Sequence, residues 1–198
     1  MNISPQRAAV LALHWQVNVI KPEGFFGAML GEPVARSGVV ERAVRFHETI
    51  GVPVFFTRFT IPEGEGGLVR NTGFMRAVGE AQEAFRPDAP GAQLIPEMAD
   101  GARTVDNQKL SGLAGNDLAA RLFEQGVDTV FVTGVATNLT VEQTARHGTD
   151  LGFTVHVVSD CVTAADDGAH AASLANLDLA TAGCLTAKEV VRMLRAQS

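Results

Sequence analysis

Two residues of this chain stand where an α/β fold carries out chemistry. His14 follows the short apolar run Ala8-Ala-Val-Leu-Ala-Leu13, and Thr140 closes the turn Gly134-Val-Ala-Thr-Asn-Leu-Thr140 that follows Thr129-Val-Phe-Val-Thr133. Short runs of apolar and β-branched residues predict buried parallel strands. In an open α/β sheet the ligand crevice lies beyond the carboxyl ends of such strands. A free imidazole titrates near pH ~6.5 and can take a proton at neutral pH. A Thr hydroxyl, in turn, becomes a nucleophile only when a positioned base removes its proton. A His14–Thr140 pair is thus chemically competent. The plainer alternative is a hydrogen-bonded residue at a strand end and a residue in the first turn of a helix.

The elements that must position this pair follow from the pattern around it. Residues 142–151 have helical spacing, and Asn138 or Thr137 is a natural N-cap for that helix, which places Thr140 in its first turn facing the site. Further strands are predicted at 52–58, 103–106 and 153–158, with a short edge strand at 179–181. Helices are predicted at 34–50, closed by Gly51, at 76–85, at 116–125 between Asn116 and Gly126, at 165–177 and at 187–194. Residues 94–98 read as a short helix or turn, 17–31 as an irregular aromatic loop over the site, and 59–93 as an excursion rich in Gly and Pro. Strands alternating with helices predict parallel pairing, right-handed crossovers and a three-layer α/β sandwich.

A chain of 198 residues suits one domain, here residues 1–198, with a substantial core. A net charge of −6 with no basic run excludes a nucleic-acid partner. The opening Met1-Asn-Ile-Ser-Pro-Gln-Arg-Ala8 has no signal-peptide pattern, and no apolar stretch approaches membrane-spanning length, so cytoplasmic residence with no membrane partner is expected. Cys161 and Cys184 lack metal-ligand spacing and read as reduced, small buried residues.

The Gly134–Thr140 turn resembles the Gly-Val-Ala-Thr-Asn/Asp-x-Cys turn of the isochorismatase-like cysteine hydrolases. Leu94-Ile-Pro-Glu-Met98, Ser111-Gly-Leu-Ala-Gly-Asn-Asp-Leu118, Thr144-Ala-Arg146 and Val157-Val-Ser-Asp160 fall in the family's order, so the resemblance covers most of the chain. It implies a six-stranded, mostly parallel, Rossmann-like sheet with helices on both faces and the first and fourth strands adjacent, which would bring His14 and Thr140 together. It also implies a small-molecule substrate and a homo-oligomer.

The family's hydrolases use an Asp ending the first strand, a Lys after the third and the Cys of the turn, with backbone N–H groups beside a cis peptide binding the oxyanion. By position the Asp becomes His14 and the Cys becomes Thr140. Aligning Ser111, Gly112, Gly115, Asp117 and Leu118 puts the Lys position at Asn107 and leaves Lys109 in a neighbouring Arg position; a two-residue gap would return Lys109 to the Lys place.

The expected function is therefore a small-molecule hydrolase or related enzyme without a Cys nucleophile. His14 serves as acid or base, Thr140 as nucleophile or hydrogen-bond donor, and Asn107 and Asn138 as polar orienters, while Ala136 and Thr137 supply backbone donors. Some members cleave the vinyl ether of isochorismate without the Cys, and His14 as imidazolium keeps such a protonation open. The alternatives are a non-catalytic pseudoenzyme or binding protein that keeps the pocket, and a structural subunit beside an active paralogue.

Trp15, Phe25, Phe26 and Phe74 are candidates for an apolar pocket wall, Lys109 for a substrate contact, and Arg58 and Arg70 for holding a carboxylate. No metal or other cofactor is expected. The stretch Thr57-Arg-Phe-Thr-Ile-Pro-Glu-Gly-Glu65 lacks the His residues of the metal-binding relatives, and His47, His147, His156 and His170 are scattered.

Overall fold

The architecture follows from where the apolar runs fall and how their ends are capped. The computed structural model describes residues 3–99 and 102–196. Six strands, β1 (Ala8–Leu13), β2 (Val54–Phe59), β3 (Arg103–Asn107), β4 (Thr129–Val135), β5 (Thr154–Thr163) and β6 (Cys184–Leu185), form one sheet in the order β3-β2-β1-β4-β5-β6, with parallel pairing between neighbours. Strands β1 and β4 are buried along their whole length, as the continuous apolar runs require of a sheet covered on both faces.

One face packs against helices α2 (Gly27–Ser37), α3 (Val39–Thr49) and α9 (Ala187–Arg195), through Leu30, Val34, Phe46, Val190 and Leu194. The other packs against α6 (Leu118–Glu124), α7 (Glu142–Asp150) and α8 (Asp167–Ala180), through Leu118, Leu122, Ala145 and Leu177. A third cluster of Phe59, Ile61, Met75, Val78 and Phe85 gathers the excursion after β2 over the carboxyl end of the sheet. The three-layer α/β sandwich and its six-stranded Rossmann-like sheet are as expected. Register sets the site: Leu13 of β1 lies opposite Gly134 of β4, so His14 emerges beside the Gly134–Thr140 turn.

Several boundaries differ from the sequence pattern. Residues 17–31 are not a loop throughout: α1 (Val17–Ile20) begins at once after Gln16, and α2 begins at Gly27. The helix predicted over 34–50 is two helices, broken at Gly38, whose φ of 63° only glycine adopts without strain. The predicted helix at 76–85 becomes α4 (Gly73–Glu80), capped by the Thr72 hydroxyl, and a separate 3₁₀ turn. Residues 94–98 contribute the short helix α5 (Pro96–Ala99). Helix α6 starts at Leu118, whose N–H is accepted by the Asn116 side chain.

Residues 179–181 are not an edge strand. Helix α8 continues to Ala180, because the Asp166 cap and an unbroken helical stretch outweigh a three-residue apolar cue, and the edge strand is Cys184–Leu185. Neither Asn138 nor Thr137 caps the helix after β4. Ala136 occupies the N-cap without a side-chain bond, and residues Thr137–Val141 wind as a π turn before α7.

Candidate functional site

The site is built where β1 and β4 end side by side. His14 follows β1 in a left-handed conformation with φ of 55°, uncommon for a residue with a side chain, and its N–H is held by the Thr57 carbonyl at 3.0 Å. The ring is 4% exposed and stands edge-on to Phe59 with centroids 6.3 Å apart. Burial pulls its pKa down to about 4, so the imidazole is neutral at physiological pH. Its Nε2 is buried and has no hydrogen-bond partner among the described residues. Buried polar atoms are nearly always partnered; His47 Nδ1, Thr57 Oγ1 and Asn107 Oδ1 share this state, and of the four residues His14 is the one that lines the chamber described next.

Across from His14, the Val135–Ala136 peptide is cis and the next turn is a π turn closed by Val141 N–H donating to the Ala136 carbonyl at 3.2 Å. The Thr140 hydroxyl donates to the Val135 carbonyl at 3.2 Å. His14 and Thr140 thus line one chamber without a hydrogen bond between their side chains. Its other walls are apolar, with Phe26, Phe59, Phe74 and Phe85 as the rings and Leu110, Leu139 and Ala136 between them. Free space inside is about 40 Å³, far below the ~300 Å³ of a typical ligand pocket. Phe74 and Met29, which share the wall, are more than a third exposed, so the roof of the chamber faces solvent.

The remaining sequence candidates are distributed around this chamber. Asn107, the last residue of β3, is 0% exposed, and its amide donates to the Ser111 and Ala114 carbonyls at 2.7 and 3.3 Å, so it braces the loop before α6. Trp15 is 0% exposed and points its Nε1–H at the Thr133 hydroxyl, 3.4 Å away, on the α3 side of the sheet. Phe25 stands behind the wall, edge-on to Phe26 and Phe85. Thr137 is buried with its hydroxyl 2.8 Å from Nδ1 of His170 on α8, while Asn138 is exposed.

Lys109 lies in a separate outer cleft of about 730 Å³ with Ser111, Arg146, His147 and Asp150, and Leu110 forms the partition between that cleft and the chamber. Arg58 is committed to both carboxylate oxygens of Asp106 at 2.8 and 2.9 Å, and Arg70 to Glu65 and the Gly79 carbonyl. Among the described residues, no group of three or more His, Cys, Asp or Glu side chains is placed to hold a metal ion, and no helix is long and apolar enough to cross a membrane.

Sequence reasoning missed several contributors. Phe59, Phe85 and Leu110 come from the end of β2, the excursion and the loop after β3, where no periodicity marks a wall. His147, read as scattered, lies 2.9 Å from the Ser111 hydroxyl; its spacing from Thr140 and Thr144 along one helical face was the available signal. Gln16 is fully buried: it donates to the Phe59 and Ala92 carbonyls and accepts the Phe59 N–H, tying the β1 end to the excursion.

A family profile, the Isochorismatase domain, matches residues 8–189. The chain belongs to the isochorismatase family. Among curated isochorismatase-family relatives, uncharacterized YwoC of Bacillus subtilis is 35% identical over 88 residues, 43% of this chain, and uncharacterized YecD of Escherichia coli O157:H7 is 30% identical over 118 residues, 54% of this chain. These alignments span 47% and 63% of the two relatives, so the chain covers less than two thirds of either. Among solved structures, a cysteine hydrolase from Pseudomonas syringae pv. phaseolicola superposes with a TM-score of 0.81 at 24% identity, covering 100% of this chain and 97% of that one. A pyrazinamidase/nicotinamidase from Streptococcus mutans gives 0.71 at 23% identity, over 90% and 99%. At such identities the isochorismatase fold is what these structures share with this chain.

Proposed function

We propose that this isochorismatase-family protein takes a small molecule into the chamber between β1 and β4 and holds it through His14, as a binding protein that has given up the family's covalent chemistry. The observation that carries this reading is the buried, unpartnered Nε2 of His14, a residue that lines a chamber whose other walls, Thr140 apart, are apolar. No thiol stands at position 140, and the Thr140 hydroxyl is engaged with Val135 rather than with a base. An imidazole whose conjugate acid has a pKa of about 4 is also a weak base for a Thr hydroxyl.

A second reading is favoured by one feature. Ala136 lines the chamber at the start of the turn, where the first N–H groups of a helical segment have no partner within it. Those donors suit an oxyanion, and the reading is hydrolysis by a water that the neutral His14 ring positions through a hydrogen bond.

Turnover and binding of a panel of small amides, esters and vinyl ethers by the wild type and His14→Ala separates the two. Binding that is lost in His14→Ala, with wild-type turnover at background, is the expected result. Turnover that disappears in His14→Ala moves the assignment to hydrolysis. Absence of binding by the wild type to every panel member contradicts both. The homo-oligomer implied by the family belongs to this proposal as well, and light scattering on the purified protein tests it directly.

A further inference from the structure

The chamber wall also fixes what kind of molecule fits it, and this inference rests on the reading of the chamber as a ligand site. Among the described residues, no Asp, Glu, Lys or Arg side chain lines it. The cations that a carboxylate would need are elsewhere. Lys109 stands beyond Leu110 in the outer cleft, Arg58 is held by Asp106 and Gln93, and Arg70 by Glu65. The carboxylates that an ammonium would need are absent from the wall too. Of the two polar side chains that line it, Thr140 donates its proton to the Val135 carbonyl and keeps only acceptor capacity, while the His14 Nε2 has no partner among the described residues.

The other contacts on offer are ring faces and edges. Phe26 and Phe74 are stacked with centroids 5.8 Å apart, and Phe59 and Phe85 meet edge-to-face at 5.6 Å. Such walls favour an apolar ring or short chain by dispersion and burial. A charged group carried into this space gives up its hydration and meets no charged side chain among the described residues, and an unpaired buried charge is strongly disfavoured.

We propose that the ligand of this chamber is uncharged and largely apolar and presents a single hydrogen-bonding group to His14. The chamber excludes carboxylates, phosphates and ammonium compounds by having no charged side chain, among the described residues, to pair with them. Entry widens the chamber by outward movement of the exposed roof side chains Phe74 and Met29.

The test uses three probes of one shape and different charge: benzyl alcohol, benzoate and benzylammonium. An alcohol both donates and accepts, so it meets Nε2 whichever tautomer His14 adopts. The smaller set 1-propanol, propionate and propylammonium repeats the comparison for a chamber that widens little. Binding is read by titration calorimetry and located by the methyl resonances of Leu110, Leu139 and Thr140. The neutral member of at least one set is expected to bind with shifts at those methyls, and its charged partners at least ~100-fold more weakly. Benzoate or benzylammonium binding within tenfold of the alcohol, at the same methyls, overturns the inference while leaving the chamber as the ligand site. Absence of shifts at those methyls with every probe overturns the reading of the chamber itself. His14→Phe is expected to weaken the alcohol at least tenfold while leaving toluene, which needs no polar partner, within threefold; equal loss of both contradicts the role given to His14.

Discussion

Thr140 donates its hydroxyl to the carbonyl of Val135, 3.2 Å away, so the residue that the sequence resemblance sets at the nucleophile position is tied to the end of its own strand. Its neighbour across the chamber, His14, keeps its Nε2 unpartnered. The two side chains that the sequence pairs line one chamber without a hydrogen bond between them.

The first expectation concerns Thr140. Thr140→Val keeps the shape and removes the donor, which costs about 1 kcal/mol of stability and leaves alcohol binding within threefold. Denaturant melts and calorimetry check both. A Thr140→Cys variant would lack the Asp and Lys that accompany the family's thiol, so its alkylation profile should show a thiol pKa at or above the ordinary value of ~8.5. A thiolate formed well below that pH would show that the turn activates a nucleophile without those partners.

Acid should weaken the fold through its buried imidazoles. Burial lowers His14 and His47 to about 4 each, against an ordinary value near 6.5. Between these values the unfolded chain binds more protons than the folded one, so stability rises with pH across the window. The contribution is complete above pH ~6.5 and is lost as pH falls toward ~4. His14→Phe should flatten the stability profile in that interval, by an amount on the order of 3 kcal/mol between its ends. Chemical denaturation at a series of pH values measures it, and an unchanged slope would contradict the neutral, buried state of His14.

Gln16 should matter more than its distance from the ligand suggests. Gln16→Leu leaves the Phe59 N–H and the Phe59 and Ala92 carbonyls without their partner in a fully buried place. The expected loss is about 3 kcal/mol. Because Phe59 and the excursion carry the chamber wall, ligand affinity should fall with it.

Asn107 offers a contrast between bracing and binding. Its amide donates to the Ser111 and Ala114 carbonyls, so Asn107→Leu should cost about 2 kcal/mol and shift the resonances of residues 111–114 while leaving alcohol affinity within threefold. A large affinity loss with unchanged stability would place Asn107 at the ligand instead.

Much of this was legible in the sequence, and the reasons are physical. Continuous burial writes itself as unbroken apolar runs, so β1 and β4 were readable, and with them the strand ends that carry His14 and Thr140. Family membership was legible from the order of a few turn motifs. Side-chain direction was not. Thr137 turns to His170 and Thr140 to Val135 in a turn that winds as a π turn and packs against α8 and β5, and no residue pattern within it announces that winding. The chamber walls from Phe59, Phe85 and Leu110 were equally hidden, since contacts between loops leave no period in a sequence. Breaks such as Gly38 were visible as residues, but the apolar pattern runs across them.

The most direct test of the account is the imidazole signal of His14, followed by nitrogen NMR in protein labelled at histidine and assigned with His14→Phe. The account predicts a ring that stays neutral from pH 7 down to about 4 and an Nε2 resonance that shifts when benzyl alcohol is added at neutral pH. A ring that titrates near pH ~6.5, or an Nε2 resonance that ignores every neutral probe, would contradict it.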